Sequence, residues 1–412
     1  MSDPDFTAHA RRAIAECRLI ALMTEEPGRI TRRFLTPPVH DVHAHLIARM
    51  QSLGMTTRID ALGNLRGLWQ PPNAGMRRLL LGSHIDSVPN AGAFDGVLGV
   101  VLSLELVQGA KERELPLALE IIAFSEEEGV RYAVPFLGSR ALAGSFPLSL
   151  LDLEDADGVR MDAAIRAFGL DPENIGDAAL DSNVLGFFEM HIEQGPVLEA
   201  EHLQLAVVEG IIGQTRLEFR FTGQANHAGT TPMRLRHDAL AAAAEWIVTV
   251  ESIAGSEIGF VATVGKLDLK PNAANVVPGE VDLSLDLRHM SDLTRSHWVR
   301  YLVNAAQTAA HKRGVEVEWR EKFDQSAVAM DPWLTAQLAE ALQGAGFPPK
   351  RMPSGAGHDA MVMAARVPAA MLFLRSPGGI SHHPDEAVRE EDVAAALLVG
   401  GRFLERLATA FS

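Results

Sequence analysis

At residues 117–128 the chain reads LALEIIAFSEEE, an apolar run that ends in three consecutive glutamates. A short, nearly continuous apolar run is typical of a strand that is buried on both faces, as in a parallel sheet covered by helices. Two further strands are predicted, at 77–82, which leads into SHID (83–86), and at 184–194, whose end contains HIEQG (191–195). Because ligands collect outside the carboxyl ends of parallel strands, these polar clusters predict a functional site at that edge of the sheet.

Helical patterns alternate with these strands in the first third of the chain. We expect helices at 7–24, 38–53 and 95–111, and an apolar strand returns at 369–374. Strands that alternate with helices indicate an α/β fold. A length of 412 residues favours two or three domains, at roughly 150 residues each.

The pattern changes at about residue 213, where polar and apolar residues alternate as they do in a sheet with one solvated face. The elements expected there are, in order, a strand at 214–222, a helix at 234–254, strands at 260–269 and 280–288, a helix at 292–313 and a strand at 315–322. This βαββαβ order predicts a ferredoxin-like unit. We therefore expect a unit at 213–324 inserted into a domain formed by residues 1–212 and 325–412.

The composition limits the partners and the location of the protein. Lysine and arginine number 37 against 53 aspartates and glutamates, a net charge of −16, which argues against binding to nucleic acid or to an anionic membrane. No apolar run approaches the roughly 20 residues that span a bilayer, and no export signal is visible at the N-terminus. A single cysteine, Cys17, fits a reducing compartment, so we expect a cytoplasmic protein.

Histidines and carboxylates lie together at several predicted strand ends, among them His84 with Asp86, the glutamates at 126–128, and His191. Imidazole and carboxylate form the mixed nitrogen and oxygen ligand set that suits Zn²⁺ or another divalent first-row ion. A triple glutamate taken alone is more typical of a solvated helix start or loop. Three carboxylates at the end of a buried strand repel one another unless cations neutralise them, which favours a metal site. Two ions fit if one carboxylate bridges them.

The chain resembles a known family through seven motifs that occur in order between about residues 30 and 390. They are GSHIDSV (82–88), FDG (94–96), EEEGVR (126–131), HIEQG (191–195), NHAGTTPM (226–233), GAGHD (355–359) and GISH (379–382). This set resembles the M20 metallopeptidase superfamily and, within it, the hydantoinase/carbamoylase branch, which includes N-carbamoyl-L-amino acid hydrolases, allantoate amidohydrolases and β-ureidopropionases. The resemblance implies a dinuclear-metal catalytic domain with an inserted lid and dimerisation domain.

The resemblance also implies a set of metal ligands. Asp95 would bridge two divalent ions, of which His84 and His191 would hold one and Glu128 and His382 the other. We expect zinc, with manganese, cobalt and nickel as alternatives.

Two of these positions need comment. In the family pattern the last ligand follows serine directly, so His382 fits the pattern and His383 occupies a variable position. Asp86 is expected to accept a hydrogen bond from the second ring N–H of His84 and so to fix its tautomer, with a strand-end cap as the alternative. Many relatives have Gly-Gly before the Asp-Gly motif, whereas this chain has Ala91-Gly92-Ala93.

Glu127 is the expected general base, since the activation of water needs a carboxylate that is not committed to a metal ion. Its neighbour Glu126 is the alternative. His227, in the loop of the inserted unit, is expected to donate a hydrogen bond to the carbonyl oxygen as negative charge develops there.

The remaining expectations concern the substrate. A planar guanidinium suits a carboxylate, and the resemblance assigns that role to Arg288, assisted by Asn275. Gln194 would contact the ureido group, and Gly357 and His358 would line the same pocket. His358 has a helix-start cap as its alternative.

The sequence therefore predicts an amidohydrolase that cleaves the carbamoyl C–N bond of N-carbamoyl-L-amino acids and functions as a homodimer paired through the lid. Allantoate is the alternative substrate, because SGAGHDA at 354–360 also fits allantoate amidohydrolases, and β-ureidopropionase activity comes third. A peptidase is disfavoured by Gln194, Asn275 and Arg288. An inactive metal-binding module on the same fold is disfavoured because every expected ligand and Glu127 are present.

Overall fold

A computed structural model describes residues 6–411. Its α-helices are α1 Phe6–Ala21, α2 Pro37–Ser52, α3 Val97–Glu112, α4 Leu137–Ala143, α5 Met161–Ala167, α6 Val197–Ala200, α7 Ala239–Ser256, α8 Asp292–His311, α9 Pro332–Gly344, α10 Asp359–Met363 and α11 Glu390–Phe411. Its strands are β1 Thr56–Ile59, β2 Leu65–Trp69, β3 Arg78–His84, β4 Ala118–Phe124, β5 Val184–Ile192, β6 Leu205–Ile211, β7 Gly213–Thr222, β8 Asn226–His227, β9 Val261–Thr263, β10 Leu267–Lys270, β11 Val276–Val277, β12 Glu280–His289, β13 Glu316–Gln325, β14 Val328–Ala329, β15 Arg351–Ser354 and β16 Ala369–Leu374.

The described chain divides into two compact units, one formed by 1–209 with 329–412 and the other by 210–328. The first unit is built on a nine-stranded sheet of order β1-β2-β4-β3-β5-β16-β6-β14, with β15 paired to β6. Strands β4, β3, β5 and β16 are mutually parallel, and every residue of β4, β5 and β16 is buried. The carboxyl ends of these apolar strands therefore meet at one edge, as their sequences predicted.

The sheet is nevertheless mixed rather than purely parallel. Strands β1 and β2 form an antiparallel hairpin, β2 runs antiparallel to β4, and β6 runs antiparallel to β16. None of these three strands was predicted. The apolar pattern of a buried strand contains no information on direction, whereas the tight turn between β1 and β2 imposes an antiparallel pair.

Helices α1, α3 and α11 pack against one another in the first unit, and α3 also packs against β3 and β5. Glu105 of α3 is buried and pairs with Arg12 of α1 at 2.9 Å and with Arg49 of α2 at 3.0 Å. These ion pairs connect three helices. Across residues 6–411, none of the helices combines the length and the apolar composition that crossing a bilayer requires.

The second unit contains a five-stranded antiparallel sheet of order β10-β12-β7-β13, with β9 also paired to β12. Helices α7 and α8 pack together and against this sheet, over a core that contains the fully buried Trp246. Two predictions were wrong in detail. The single strand expected at 260–269 is two short strands, β9 and β10, and α7 begins at Ala239 rather than at 234. The helix begins there because the Asp238 carboxylate accepts a hydrogen bond from the backbone N–H of Ala241.

Candidate metal centre

The site lies where three neighbouring parallel strands end in the first unit. Strand β3 ends at His84, β4 ends just before the glutamates at 126–128, and β5 contains His191 near its end. Asp95 comes from the loop that precedes α3, and His382 from the segment that follows β16. Adjacent strands in one sheet thus bring together residues that are far apart in the sequence.

Asp95 stands at the centre of these residues, with its two carboxylate oxygens facing different partners. Oδ1 lies 3.2 Å from His191 Nε2 and 3.9 Å from His84 Nε2. Oδ2 lies 3.2 Å from His382 Nε2, which is itself 3.5 Å from Glu128 Oε1. One carboxylate therefore divides the site into two groups of potential ligands.

Ligand atoms of several residues lie within 4.8 Å of one another, as metal binding requires. The two groups that share Asp95 are His84-Asp95-His191 and Asp95-Glu128-His382, and two further groups are His84-Glu127-Glu128 and Glu189-His191-His358. All five residues expected to hold ions thus come together in the structure. The neighbouring His383 points elsewhere, since its ring is exposed and lies 3.6 Å from Asp385.

Backbone carbonyls orient two of the histidines. His84 Nδ1 lies 3.1 Å from the carbonyl oxygen of Asp86, and His191 Nδ1 lies 2.9 Å from that of Ile192. Each Nδ1 donates to its carbonyl, which directs Nε2 towards Asp95. The protonated ring donates from Nε2, whereas the neutral ring offers Nε2 as a lone-pair nitrogen to a metal ion. The Asp86 carboxylate, at 3.4 Å from His84 Nδ1, adds electrostatic attraction.

Two buried carboxylates hold the loops of the site. Asp86 accepts hydrogen bonds from the backbone N–H groups of Glu127 and Glu128, both at 3.0 Å. Glu386 accepts from the N–H groups of Phe94 and Asp95, also at 3.0 Å, and from the Ser381 hydroxyl at 3.1 Å. Sequence reasoning missed Glu386. The sequence contained one signal for it, a glutamate two residues after Pro384 and close to the expected ligand His382.

Close packing explains two glycines of the Asp95 loop. A Cβ added to Gly96, whose φ is +66°, would lie 2.4 Å from the His84 ring, and one added to Gly92 would lie 2.3 Å from the Cβ of Glu386. The chain retains glycine at both positions. Ala91 instead pairs with Ile30 in an isolated bridge, where a side chain is accommodated.

Burial perturbs the acids of the site strongly. It raises the pKa of Glu127 well above the usual range, and burial together with Asp95 raises the pKa of Glu128 to about 7. Burial, reinforced by Asp86, also raises the pKa of Glu126. Although burial opposes ionisation of Asp95 as well, hydrogen bonds from His191 and His382 hold its pKa well below the usual range. Asp95 is therefore the most readily ionised of these carboxyl groups.

A cavity of about 200 Å³ adjoins the ligand groups and is lined by Gln194, Gly357 and His358, among others. The Gln194 amide donates to both Asp95 oxygens, at 3.2 and 3.1 Å. His358 precedes α10, but its side chain makes no capping bond, so the cap interpretation is wrong; its Nε2 lies 2.9 Å from Ser354 Oγ instead. Burial and the neighbouring His191 hold the pKa of His358 well below its usual range, so this ring is neutral.

The second unit contains the three remaining candidate residues, His227, Asn275 and Arg288. His227 is exposed on β8, which pairs with β11, and its Nδ1 accepts hydrogen bonds from the N–H groups of Gly229 and Thr230 at 3.0 and 3.2 Å. The ring proton therefore resides on Nε2. The backbone carbonyl of Asn275 accepts a hydrogen bond from the backbone N–H of Ala228, which keeps Asn275 beside this loop.

Arg288 lies on β12 and forms a two-pronged ion pair with Asp286. Its Nε lies 2.9 Å from Asp286 Oδ1 and its Nη2 lies 3.3 Å from Oδ2. The aspartate fixes the plane of the guanidinium. Asn272, three residues before Asn275, has a positive φ of 56°, a turn conformation that asparagine tolerates.

Comparison with known proteins identifies relatives along almost the whole chain. The chain is 38% identical to an allantoate deiminase of Arabidopsis thaliana, over 95% of this chain and 81% of that one. It is also 38% identical to an N-carbamoyl-L-amino acid amidohydrolase of Geobacillus stearothermophilus, over 89% and 90%. Among solved structures, a hydantoinase/carbamoylase family amidase from Burkholderia ambifaria superposes with a TM-score of 0.90 at 33% identity, over 97% of each chain.

Residues 80–406 match the profile of Peptidase family M20/M25/M40. The match includes each of the site residues described above, from His84 to His382. The resemblance predicted from the seven sequence motifs is thereby confirmed, and so is the mixed α/β fold. The chain belongs to Peptidase family M20/M25/M40.

Proposed function

We propose that this protein is a metal-dependent amidohydrolase that cleaves the carbamoyl C–N bond of N-carbamoyl-L-amino acids. The products are the amino acid, carbon dioxide and ammonia. Family membership makes the chain a hydrolase of C–N bonds, and relatives at 37–38% identity are named for this reaction and for the cleavage of allantoate. The observation that supports the proposal most directly is Asp95, whose two oxygens face two separate ligand groups.

The residues fit two divalent ions. His84 and His191 would hold one, Glu128 and His382 the other, and Asp95 would bridge them. Glu128 Oε1 is buried without a hydrogen-bond partner among the described residues, which a cation would supply. Nitrogen and oxygen donors of this kind suit zinc, and also manganese, cobalt or nickel. Such ions would polarise a carbonyl group and favour the deprotonation of water.

Glu127 moves the proton in this proposal. It is buried beside the ligand Glu128, and burial raises its pKa, which favours the return of a proton that it has accepted. Glu127 takes a proton from the attacking water, a C–O bond forms at the carbamoyl carbon, and the same proton passes to the leaving nitrogen as the C–N bond breaks. The carbamate that is released decomposes to carbon dioxide and ammonia.

Different residues would bind the two ends of the substrate. Gln194 and the neutral His358 border the cavity beside the ligand groups and suit the uncharged ureido end. Arg288, held in plane by Asp286 and assisted by Asn275, would bind the carboxylate. His227 would donate from Nε2 to the carbonyl oxygen as it gains negative charge. Gly357 and Phe136 also line this cavity and lie close together, since a Cβ added to Gly357 would lie 2.7 Å from Phe136 Cζ.

Residues 213–324 are proposed to form a lid that also pairs two copies of the chain. The compact unit Gly210–Val328 supports this division of the chain. Among the described residues, its edge strand β13 pairs on one side only, with β7, and exposed sheet edges in homodimers commonly pair. We also propose a cytoplasmic location. The single cysteine, Cys17, is buried and cannot form a disulfide within the chain, which fits a reducing compartment.

Allantoate is the second candidate substrate, favoured by the allantoate deiminases among the relatives. To decide between the two, ammonia release is measured with N-carbamoyl-L-amino acids, N-carbamoyl-β-alanine and allantoate. Each assay is repeated after the metal is removed by chelation and again after it is restored. We expect turnover of the N-carbamoyl-L-amino acids to be fastest and to disappear without metal. Faster turnover of allantoate would replace the substrate assignment, and turnover of none would indicate an inactive module.

Replacement of Glu127 tests the proton transfer. Glu127→Gln should retain both metal ions and lose about 10²–10⁴-fold in kcat, because the amide cannot accept the proton. Metal content and steady-state rates are the measurements. Glu126→Gln is the matched control and should remain active, since burial already favours the uncharged form of Glu126. Near-normal turnover of Glu127→Gln would refute the assignment.

Replacement of Arg288 tests carboxylate binding. Arg288→Lys keeps the charge but loses the planar pair of donors, so KM should rise strongly for N-carbamoyl amino acids. Arg220→Lys is the control, because Arg220 forms a comparable pair with Asp282, at 2.7 and 3.0 Å, in the same sheet. An unchanged KM in Arg288→Lys would mean that another residue binds the carboxylate.

Subunit mixing tests whether His227 serves the partner's site. Glu127→Ala and His227→Ala should each be nearly inactive, and equal mixing produces about half hybrid dimers. We expect His227 to act in the partner's site and Arg288 in the site of its own subunit. Each hybrid then has one intact site, and about a quarter of wild-type activity returns. If mixing restores nothing while subunit exchange is verified, His227 acts within its own subunit.

A further inference from the structure

A second cavity of the first unit, of about 400 Å³, lies at the outer edge of the nine-stranded sheet, where β1, β2 and β4 are neighbours. Its lining includes Arg78, the first residue of β3, whereas the candidate metal ligand His84 is the last. Six residue-to-residue steps along the extended strand separate the two by about 20 Å. The cavity is therefore remote from the candidate metal centre.

Positive charge exceeds negative charge in this cavity. Three arginines line it, Arg58, Arg66 and Arg78, against two carboxylates, Glu120 and Asp181. Within residues 6–411 no ion pair of Arg58 is found, whereas both carboxylates are paired with the other two arginines. This local excess contrasts with the net charge of −16 of the whole chain.

The buried Arg66 is incompletely hydrogen-bonded. Its side chain is 1% exposed; Nε donates to Glu120 Oε1 at 2.7 Å and Nη1 to the Ala178 carbonyl at 3.0 Å. Its Nη2 has no partner among the described residues. Buried guanidinium nitrogens are nearly always satisfied, so Nη2 of Arg66 is a donor with capacity for a group that enters the cavity.

The register of the sheet places a second arginine against the first. Arg58 of β1 lies directly opposite Arg66 of β2, on the same face of the sheet. Directly opposed like charges destabilise a strand pair. The existing partners do not remove this repulsion, because Glu120 is shared between Arg66 and Arg78. Although burial opposes its ionisation, those two arginines lower the pKa of Glu120, so its charge is already committed.

We infer that Arg58 and Arg66 form a binding site for a small oxyanion, a phosphate or a carboxylate group. An oxyanion between the two guanidiniums would accept a hydrogen bond from Arg66 Nη2 and pair with Arg58, converting their repulsion into a bridge. Arg58 is exposed, so its side chain can rotate to place its guanidinium against an anion in the cavity. The site is independent of the proposed amidohydrolase activity, because none of its residues belongs to the metal or substrate groups.

Calorimetric titration of the metal-loaded protein with inorganic phosphate tests the inference, with sodium acetate as a parallel titrant at matched ionic strength. Arg58→Gln should weaken binding at this site by about tenfold or more, the usual effect of losing a charged donor. Arg77→Gln is the matched control, since Arg77 is exposed one residue before Arg78 but lies outside the cavity lining. Both substitutions remove one exposed positive charge, and both should leave ammonia release unchanged.

The outcomes are distinct. Loss of phosphate binding in Arg58→Gln but not in Arg77→Gln supports a phosphate site, and the same pattern with acetate alone supports a carboxylate site. Binding that Arg58→Gln leaves unchanged arises at another centre and overturns the inference, as does the absence of any binding to the wild-type protein. Equal weakening in both variants would reduce the effect to general electrostatics and would also overturn it.

Discussion

Mutual repulsion among buried carboxylates is the constraint on which the architecture of this site depends. Asp86, Asp95, Glu127 and Glu128 meet at one edge of a sheet whose strands are otherwise apolar. Burial and proximity favour the uncharged forms of Glu127 and Glu128, and the pKa of Glu128 rises to about 7 for this reason. At Asp95, hydrogen bonds from two histidines more than offset the effect of burial. Divalent cations would offset the rest, which is why the arrangement is consistent with a metal centre and difficult to explain as a purely structural cluster.

The fold supplies the rigidity that such a cluster requires. Asp86 holds the backbone of Glu127 and Glu128, while Glu386 holds the backbone on either side of the Phe94-Asp95 peptide. In both cases one carboxylate receives two adjacent N–H groups, so it is satisfied without a cation and remains available as a support. The site thus separates carboxylates that position the backbone from carboxylates that face the centre.

The two ends of the parallel strands differ in charge. Carboxylates and histidines gather where β3 and β4 end, whereas Arg78 and the buried pair of Arg66 with Glu120 lie towards the other end. A strand buried on both faces accepts charged groups mainly near its ends, where partners or solvent can satisfy them. One sheet can therefore support a cation site at one end and an anion site at the other.

The sequence by itself determined the α/β class, the apolar central strands and the clusters that follow them, because each cluster is local and its residue types define its chemistry. It also indicated the family, since each of the seven motifs is a continuous run of residues that can be recognised without the fold. Only the tertiary structure decided which oxygen of Asp95 faces which histidine, that Glu386 supports a loop 292 residues away, and that Arg58 stands opposite Arg66. It also revealed the antiparallel strands β1, β2 and β6. Strand direction and register arise from pairing between distant segments, and hydrophobic periodicity contains no record of that pairing.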